Sequence, residues 1–268
     1  MLSISELIGR AKTDGYTEET AQAKVCQDIV LFLIAKSSLN RNVTIKGGVV
    51  MRSISGNARR ATLDIDLDFI KYSLRDDAII AFIDKLNALD IVTITAEGAI
   101  EELRQQDYHG KRIHITITDK NGDSLSSKID LGVHNHYQIE QEEYCFDVGL
   151  DDEGASLLIN SKEQMVAEKL RSLLVFGPFS TRYKDVFDIY YLSRLVDRKK
   201  LTETLEYMIF ADSGLKENSI ADIIRRVEAT FSNRRYRQNL STSKKNWLGT
   251  DVDDVLSGIL AFLISLCD

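Results

Sequence analysis

Residues 45–70 read I-K-G-G-V-V-M-R-S-I-S-G-N-A-R-R-A-T-L-D-I-D-L-D-F-I, and this stretch decides the fold. Residues 43–45 are a short apolar strand that runs into Gly47-Gly48, and a helix follows to about residue 55. Glycines at that junction let backbone approach a phosphate, and a helix N-terminus presents unbonded N–H groups. Residues 64–71 then alternate strictly: Asp64, Asp66 and Asp68 share one strand face, and Ile65, Leu67 and Phe69 share the other. Carboxylates spaced by two residues stand roughly 6–7 Å apart, repel one another, and can hold one or two magnesium ions that bridge a triphosphate. A glycine pair alone is an ordinary turn, and an acidic alternating strand alone is an ordinary solvated edge. The order strand, G-G, helix, Asp-x-Asp strand is the specific signal.

Upstream, residues 3–36 read as two helices, with Ser3 and Thr17 as caps and Ala21, Val25, Ile29, Phe32 and Leu33 as a core stripe. Downstream, residues 76–89 form an amphipathic helix. Strands are predicted at 91–96, 112–118, 124–133 and 143–148, with Lys120-Asn121-Gly122-Asp123 as a type I′ hairpin. From 161 onward the pattern is helical at about 162–175, 182–196, 200–210, 216–231 and 250–266, broken at Gly177-Pro178. The expected fold class is therefore α+β. A helical pair (1–40) precedes a core with a small mixed sheet (41–158), and a helical domain (159–268) ends the chain, with the active cleft between the last two.

Composition narrows the function. The 268 residues carry 34 Lys and Arg against 41 Asp and Glu, a net charge of −7, which excludes a uniformly basic nucleic-acid coat but not a local patch. Cys26, Cys145 and Cys267 are scattered and form no C-x-x-C pair, so neither a disulfide framework nor a thiolate zinc site is expected. The longest apolar run, 29–35, has seven residues, too short for a membrane span, and no leader is evident. A reduced, soluble, cytoplasmic protein is expected.

The strand–G-G–helix–D-x-D order resembles the polymerase-β-like nucleotidyltransferase superfamily. The fuller pattern of Gly47, Gly48, Arg60, Thr62, Asp64 and Asp66 is similar to its AbiEii branch, the toxins of type IV-like toxin–antitoxin and abortive-infection (antiviral defence) systems. E-Q-M-V-A-E-K-L-R-S-L-L (163–174) and R-Y-K-D-V-F-D-I-Y (182–190) agree with that branch. The resemblance implies a metal-dependent enzyme that moves a nucleoside monophosphate from an NTP to a hydroxyl, with two Mg2+ (or Mn2+) ions. It implies the 3′ end of tRNA as acceptor and a cognate antitoxin as partner. It makes Asp64 and Asp66 metal ligands and Asp130, in K-I-D-L-G-V, the third carboxylate, with Asp68 the alternative. It assigns Gly47, Gly48, Arg60, Thr62, Lys169 and Asp185 to the nucleotide. One departure stands out: the superfamily often has G-S, whose hydroxyl touches phosphate, where this chain has Gly48.

Other features are read from spacing. Lys169 shares a helical face with Val166, Leu170 and Leu173, so its ammonium needs an anion: a triphosphate, Asp185 or Asp188. Arg60 either holds a phosphate or balances the carboxylates. His134 and His136 lack a third ligand, and His109 and His114 lack evident partners. Arg225, Arg226, Arg234, Arg235, Arg237, Lys244 and Lys245 face only Glu228 between 225 and 245, with Phe231, Tyr236 and Trp247 interleaved, a composition suited to RNA phosphates and stacked bases. Lys111-Arg112 would extend that patch. A protein-modifying adenylyl- or phosphoryltransferase and a degenerate nucleotide-binding module are the competing readings.

Overall fold

The alternation at 65–69 becomes a central strand of one mixed sheet. The computed structural model describes residues 3–103, 110–135 and 138–267, and the chain divides after Asn160 into two units. In the first unit α1 (Ile4–Thr13) and α2 (Glu18–Lys36) precede β1 (Val43–Lys46), α3 (Gly47–Ser55), β2 (Ile65–Phe69) and α4 (Asp76–Asn87). Then come β3 (Thr93–Leu103), β4 (Gly110–Thr118), β5 (Ser124–Val133), β6 (Glu142–Phe146) and β7 (Ala155–Ile159). The strand order is β3-β4-β5-β2-β1-β7-β6. The β2–β5 and β1–β7 pairs are parallel, and the others are antiparallel.

Ile65, Leu67 and Phe69 are fully buried, so the apolar face of β2 lies in the core and its aspartate face is turned the other way. Thr17 and Thr20 close a capping box at the start of α2. Of the expected stripe Phe32 is only half-buried, while Cys26, Gln27, Asp28, Val30 and Leu31 are buried beyond it, because α2 packs against α1, β5 and β7. The β4–β5 hairpin forms at the expected place with a different turn. Asp119 accepts from Gly122 N, and only Gly122 takes a positive φ, +92°. That is a type I turn followed by a left-handed glycine, whereas type I′ needs two positive φ values.

The second unit is helical: α5 (Lys162–Phe176), a 3-10 turn (Gly177–Phe179), α6 (Tyr183–Leu192), α7 (Arg198–Leu205), α8 (Ile220–Phe231), α9 (Arg234–Thr242) and α10 (Val252–Ile264). A π turn, Glu206–Phe210, follows α7. Helix α9 has no counterpart in the sequence pattern. Its only buried residues are Tyr236 and Leu240, one turn apart, too few to show a period. Among the described residues no helix is long and apolar enough to cross a membrane.

Candidate active site

The site is built where β1 ends and α3 begins. Lys46, the N-cap of α3, makes no side-chain capping bond, so the first-turn N–H groups of α3 receive none from it. Gly47 takes φ +66°, and a Cβ there would collide with Asp66 Oδ2. A Cβ on Gly48 would sit 2.5 Å from Thr62 Cβ and 2.7 Å from Thr62 Oγ1. The two glycines are therefore what lets the helix N-terminus lie directly on Asp66 and Thr62. The departure at position 48 also acquires a physical reason: the space of a serine side chain is filled by the side chain of Thr62.

Strand register extends the site sideways. Lys46 pairs with Asp66, Asp66 with Asp130, Asp130 with Arg112, and Arg112 with Glu101, one charged row across five strands. Asp66 and Asp130 are direct neighbours on parallel strands, whereas Asp68 pairs with Gly132. Most of these carboxylates carry a cation. Arg112 donates two bonds to Asp130, at 2.6 and 2.8 Å, and the bond to Asp130 raises the guanidinium pKa further. Lys128 lies 3.0 Å from Asp64, and Lys46 lies 2.5 Å from Asp68. Arg112 and Lys111 were expected to extend the basic patch. They are instead engaged with acids of this unit, Lys111 with Asp76 and Glu102. Lys46 and Lys128 had no signal in the sequence and Arg112 only that of a basic patch, because the relation of all three to the aspartates appears only once strand order is known.

Among the described residues no three His, Cys, Asp or Glu side chains converge as a metal cluster. The donor set nevertheless suits a hard divalent cation: Asp64 and Asp66 supply only oxygen, and magnesium sites of this kind take one or two carboxylates and complete their shell with substrate phosphates. Arg60 is buried, with 4% exposed. His134 is buried also, and His109 and His136 lie outside the described residues. Burial pushes the Cys26 thiol up to about 12, which leaves it inert as a nucleophile.

In the second unit Lys169 Nζ lies 2.9 Å from Asp185 Oδ1 and 2.8 Å from Asp188 Oδ2. Asp188 is fully buried and also accepts from Trp247 Nε1 at 3.0 Å, and Arg182 lies 3.0 Å from Asp185 Oδ2. Trp247 is thereby tied into the core rather than offered to a base. Phe231 and Tyr236 are buried too, so none of the three aromatics interleaved in the basic stretch is a stacking surface. All seven cations of that stretch are exposed. Arg237 pairs with Asp253, Arg225 with Asp222, and Arg226 donates to Leu174 O at the end of α5. Two exposed aromatics lie next door: Phe179, 87% exposed on the turn that packs against α8 and α9, and Phe176, 47% exposed at the end of α5.

The family model described as nucleotidyl transferase AbiEii toxin, type IV toxin–antitoxin system, matches residues 29–254. No curated protein matches the chain.

Proposed function

Taking as premise that the chain belongs to the AbiEii nucleotidyl transferase toxin family, we propose that it transfers a nucleoside monophosphate from an NTP to the 3′-hydroxyl of an RNA, with tRNA the expected species and a cognate antitoxin as its partner. The observation that carries this reading is the packing of the Gly47-Gly48 helix start onto Asp66 and Thr62, with Asp130 the adjacent acid. Helix N–H groups and the Thr62 hydroxyl receive the triphosphate. Asp64 and Asp66 bind the divalent cation, which when bound neutralises the phosphates and lowers the pKa of the acceptor hydroxyl. Arg112 fixes the carboxylate of Asp130, and Lys46 and Lys128 neutralise Asp68 and Asp64 in turn. The acceptor oxygen bonds the α-phosphorus, the α–β bridging bond breaks, pyrophosphate leaves, and the acceptor proton passes to a carboxylate of the Asp66–Asp130 pair. Lys169 and Asp185 are assigned to the nucleotide on the strength of the family pattern. Arg60, buried, balances the acids.

RNA as the acceptor is supported by the exposed cations of 225–245 lying beside an exposed aromatic ledge, Phe176 and Phe179. Incubation with each α-labelled NTP, magnesium and either total RNA or total protein tests the proposal. Label in RNA is the expected result, and label confined to protein would overturn the acceptor assignment.

A further inference from the structure

Helix α2 buries almost its whole circumference in apolar core, yet two adjacent buried positions on it are polar, Gln27 and Asp28. Gln27 is 0% exposed. Its Nε2 donates to Thr62 O at 2.9 Å and to Asp64 O at 3.3 Å, and its Oε1 accepts from Arg52 Nη1 at 2.9 Å. Arginine can only donate, so the orientation of the amide is fixed by chemistry: the oxygen must face Arg52 and the NH2 must face the two carbonyls. Arg52 lies on α3, and its Nη2 lies 3.1 Å from Asp28 Oδ1, while Lys24 bonds the other oxygen of Asp28. Burial pushes the Asp28 carboxyl up, and Arg52 and Lys24 oppose that push.

Residues 61–64 belong to no strand or helix, since they join the Ala58–Arg60 turn to β2. This short link carries Thr62, against which Gly48 packs, and Asp64. One buried amide therefore joins α3, whose N-terminus faces the phosphate position, to the loop that carries the first metal carboxylate. Well-packed apolar side chains often match or exceed the stability of such buried networks, so packing alone gives no reason for a glutamine here.

We propose that Gln27 is a positioning residue of the transfer centre: through Thr62 O, Asp64 O and Arg52 it sets the Asp64 carboxylate against the start of α3. The inference rests on the nucleotidyltransferase reading for its consequence in catalysis, but not for the clamp itself. Its effect is on geometry at a metal ligand, so it acts as the outer partners of metal sites act.

Gln27→Glu tests it. The substitution keeps the volume and the acceptor for Arg52 but exchanges both N–H donors for lone pairs facing Thr62 O and Asp64 O. Gln27→Leu keeps the volume and removes all three bonds. Amide hydrogen exchange is read first, on the protein without nucleotide or metal. The account expects exchange in residues 60–66 to rise about tenfold or more in Gln27→Glu, since two hydrogen bonds to the loop are lost, with β4, β5 and α4 as protected as in the parent. In transfer assays the magnesium midpoint should rise about tenfold or more and kcat fall, with KM for RNA unchanged. Normal exchange at 60–66 together with a normal magnesium midpoint overturns the proposal. So does a rise spread evenly over the sheet, or failure of both variants to fold, since each assigns Gln27 to core stability alone. If the parent transfers no nucleotide at all, the functional reading fails while the exchange comparison still decides the clamp.

Discussion

The close approach of Gly48 to Thr62 gives a prediction whose sign depends on the geometry. Gly48 has no positive φ and lies in the first turn of α3. By propensity alone, Gly48→Ser should stabilise the helix by a few tenths of a kcal/mol to about 1 kcal/mol. The structure reverses that sign, because the new Cβ would meet Thr62 Cβ at 2.5 Å and Thr62 Cγ2 and Oγ1 at 2.7 Å each. Approaches that short force the loop to move, and overpacking of this kind costs about 1–3 kcal/mol. At this chain length that is about 2–4 °C of Tm per kcal/mol. Thr62→Ala relieves the two 2.7 Å clashes but keeps the Cβ at 2.5 Å, whereas Thr62→Gly removes all three. A double-mutant cycle read by urea unfolding should therefore show a favourable coupling of about 1–2 kcal/mol between Gly48→Ser and Thr62→Gly. The coupling with Thr62→Ala should be smaller. Additive effects, or a Gly48→Ser variant as stable as the parent, would refute the claim that Thr62 occupies the space of the missing serine.

Three further outcomes are expected. Lys169→Met removes the cation beside a fully buried Asp188, so thermal unfolding should show a destabilisation of about 3–5 kcal/mol in addition to any loss of nucleotide binding; a nearly unchanged Tm would refute the structural share of the residue and leave it to the nucleotide alone. Reversing Arg234, Arg235 and Arg237 to Glu should flatten the salt dependence of RNA affinity, by about 0.7–0.9 in log–log slope for each phosphate that is no longer bound. Phe179→Ala should weaken RNA binding while leaving that slope intact, and a filter-binding titration at several salt concentrations separates the two. Asp119, despite burial that acts to raise it, is held below the usual carboxylate range by backbone N–H groups of Ile4, Asn121, Asp123 and Gly122. Its contribution is thus present above the unfolded value of about 4 and disappears as pH falls through the lower folded value. The Tm gap between the parent and Asp119→Asn should close in that window, and a gap independent of pH would contradict the assignment.

The sheet core was legible because its signals are local. Residues 43–46, 47–55 and 65–69 announce themselves by period, by glycine and by alternation. Strand β7 was not foreseen: its burial alternates over only five residues, and its place is fixed by parallel pairing with β1, a partner more than a hundred residues away in sequence. The aspartates were visible for the same reason as β2, but their cations were not. Arg112 meets Asp130, and Lys46 meets Asp68, only through register. The interleaved aromatics misled because composition does not say which way a side chain points. Tyr236 and Trp247 turn inward, and the exposed rings, Phe176 and Phe179, flank the Gly177-Pro178 break, which the pattern had marked only as a break. Gln27 lies off the expected apolar stripe of α2, and no spacing rule separates a polar residue that clamps a distant loop from one at a solvated edge.

The central claim is transfer of the α-phosphoryl nucleoside unit by a centre containing Asp66. The most direct measurement compares α-labelled with γ-labelled NTP, in magnesium, for the parent and for Asp66→Asn. The account predicts label in the acceptor from the α-position only, with the γ-label recovered as pyrophosphate, and loss of both signals in Asp66→Asn at unchanged Tm. Acceptor labelled from the γ-position, or an Asp66→Asn variant with near-parental turnover, would contradict it.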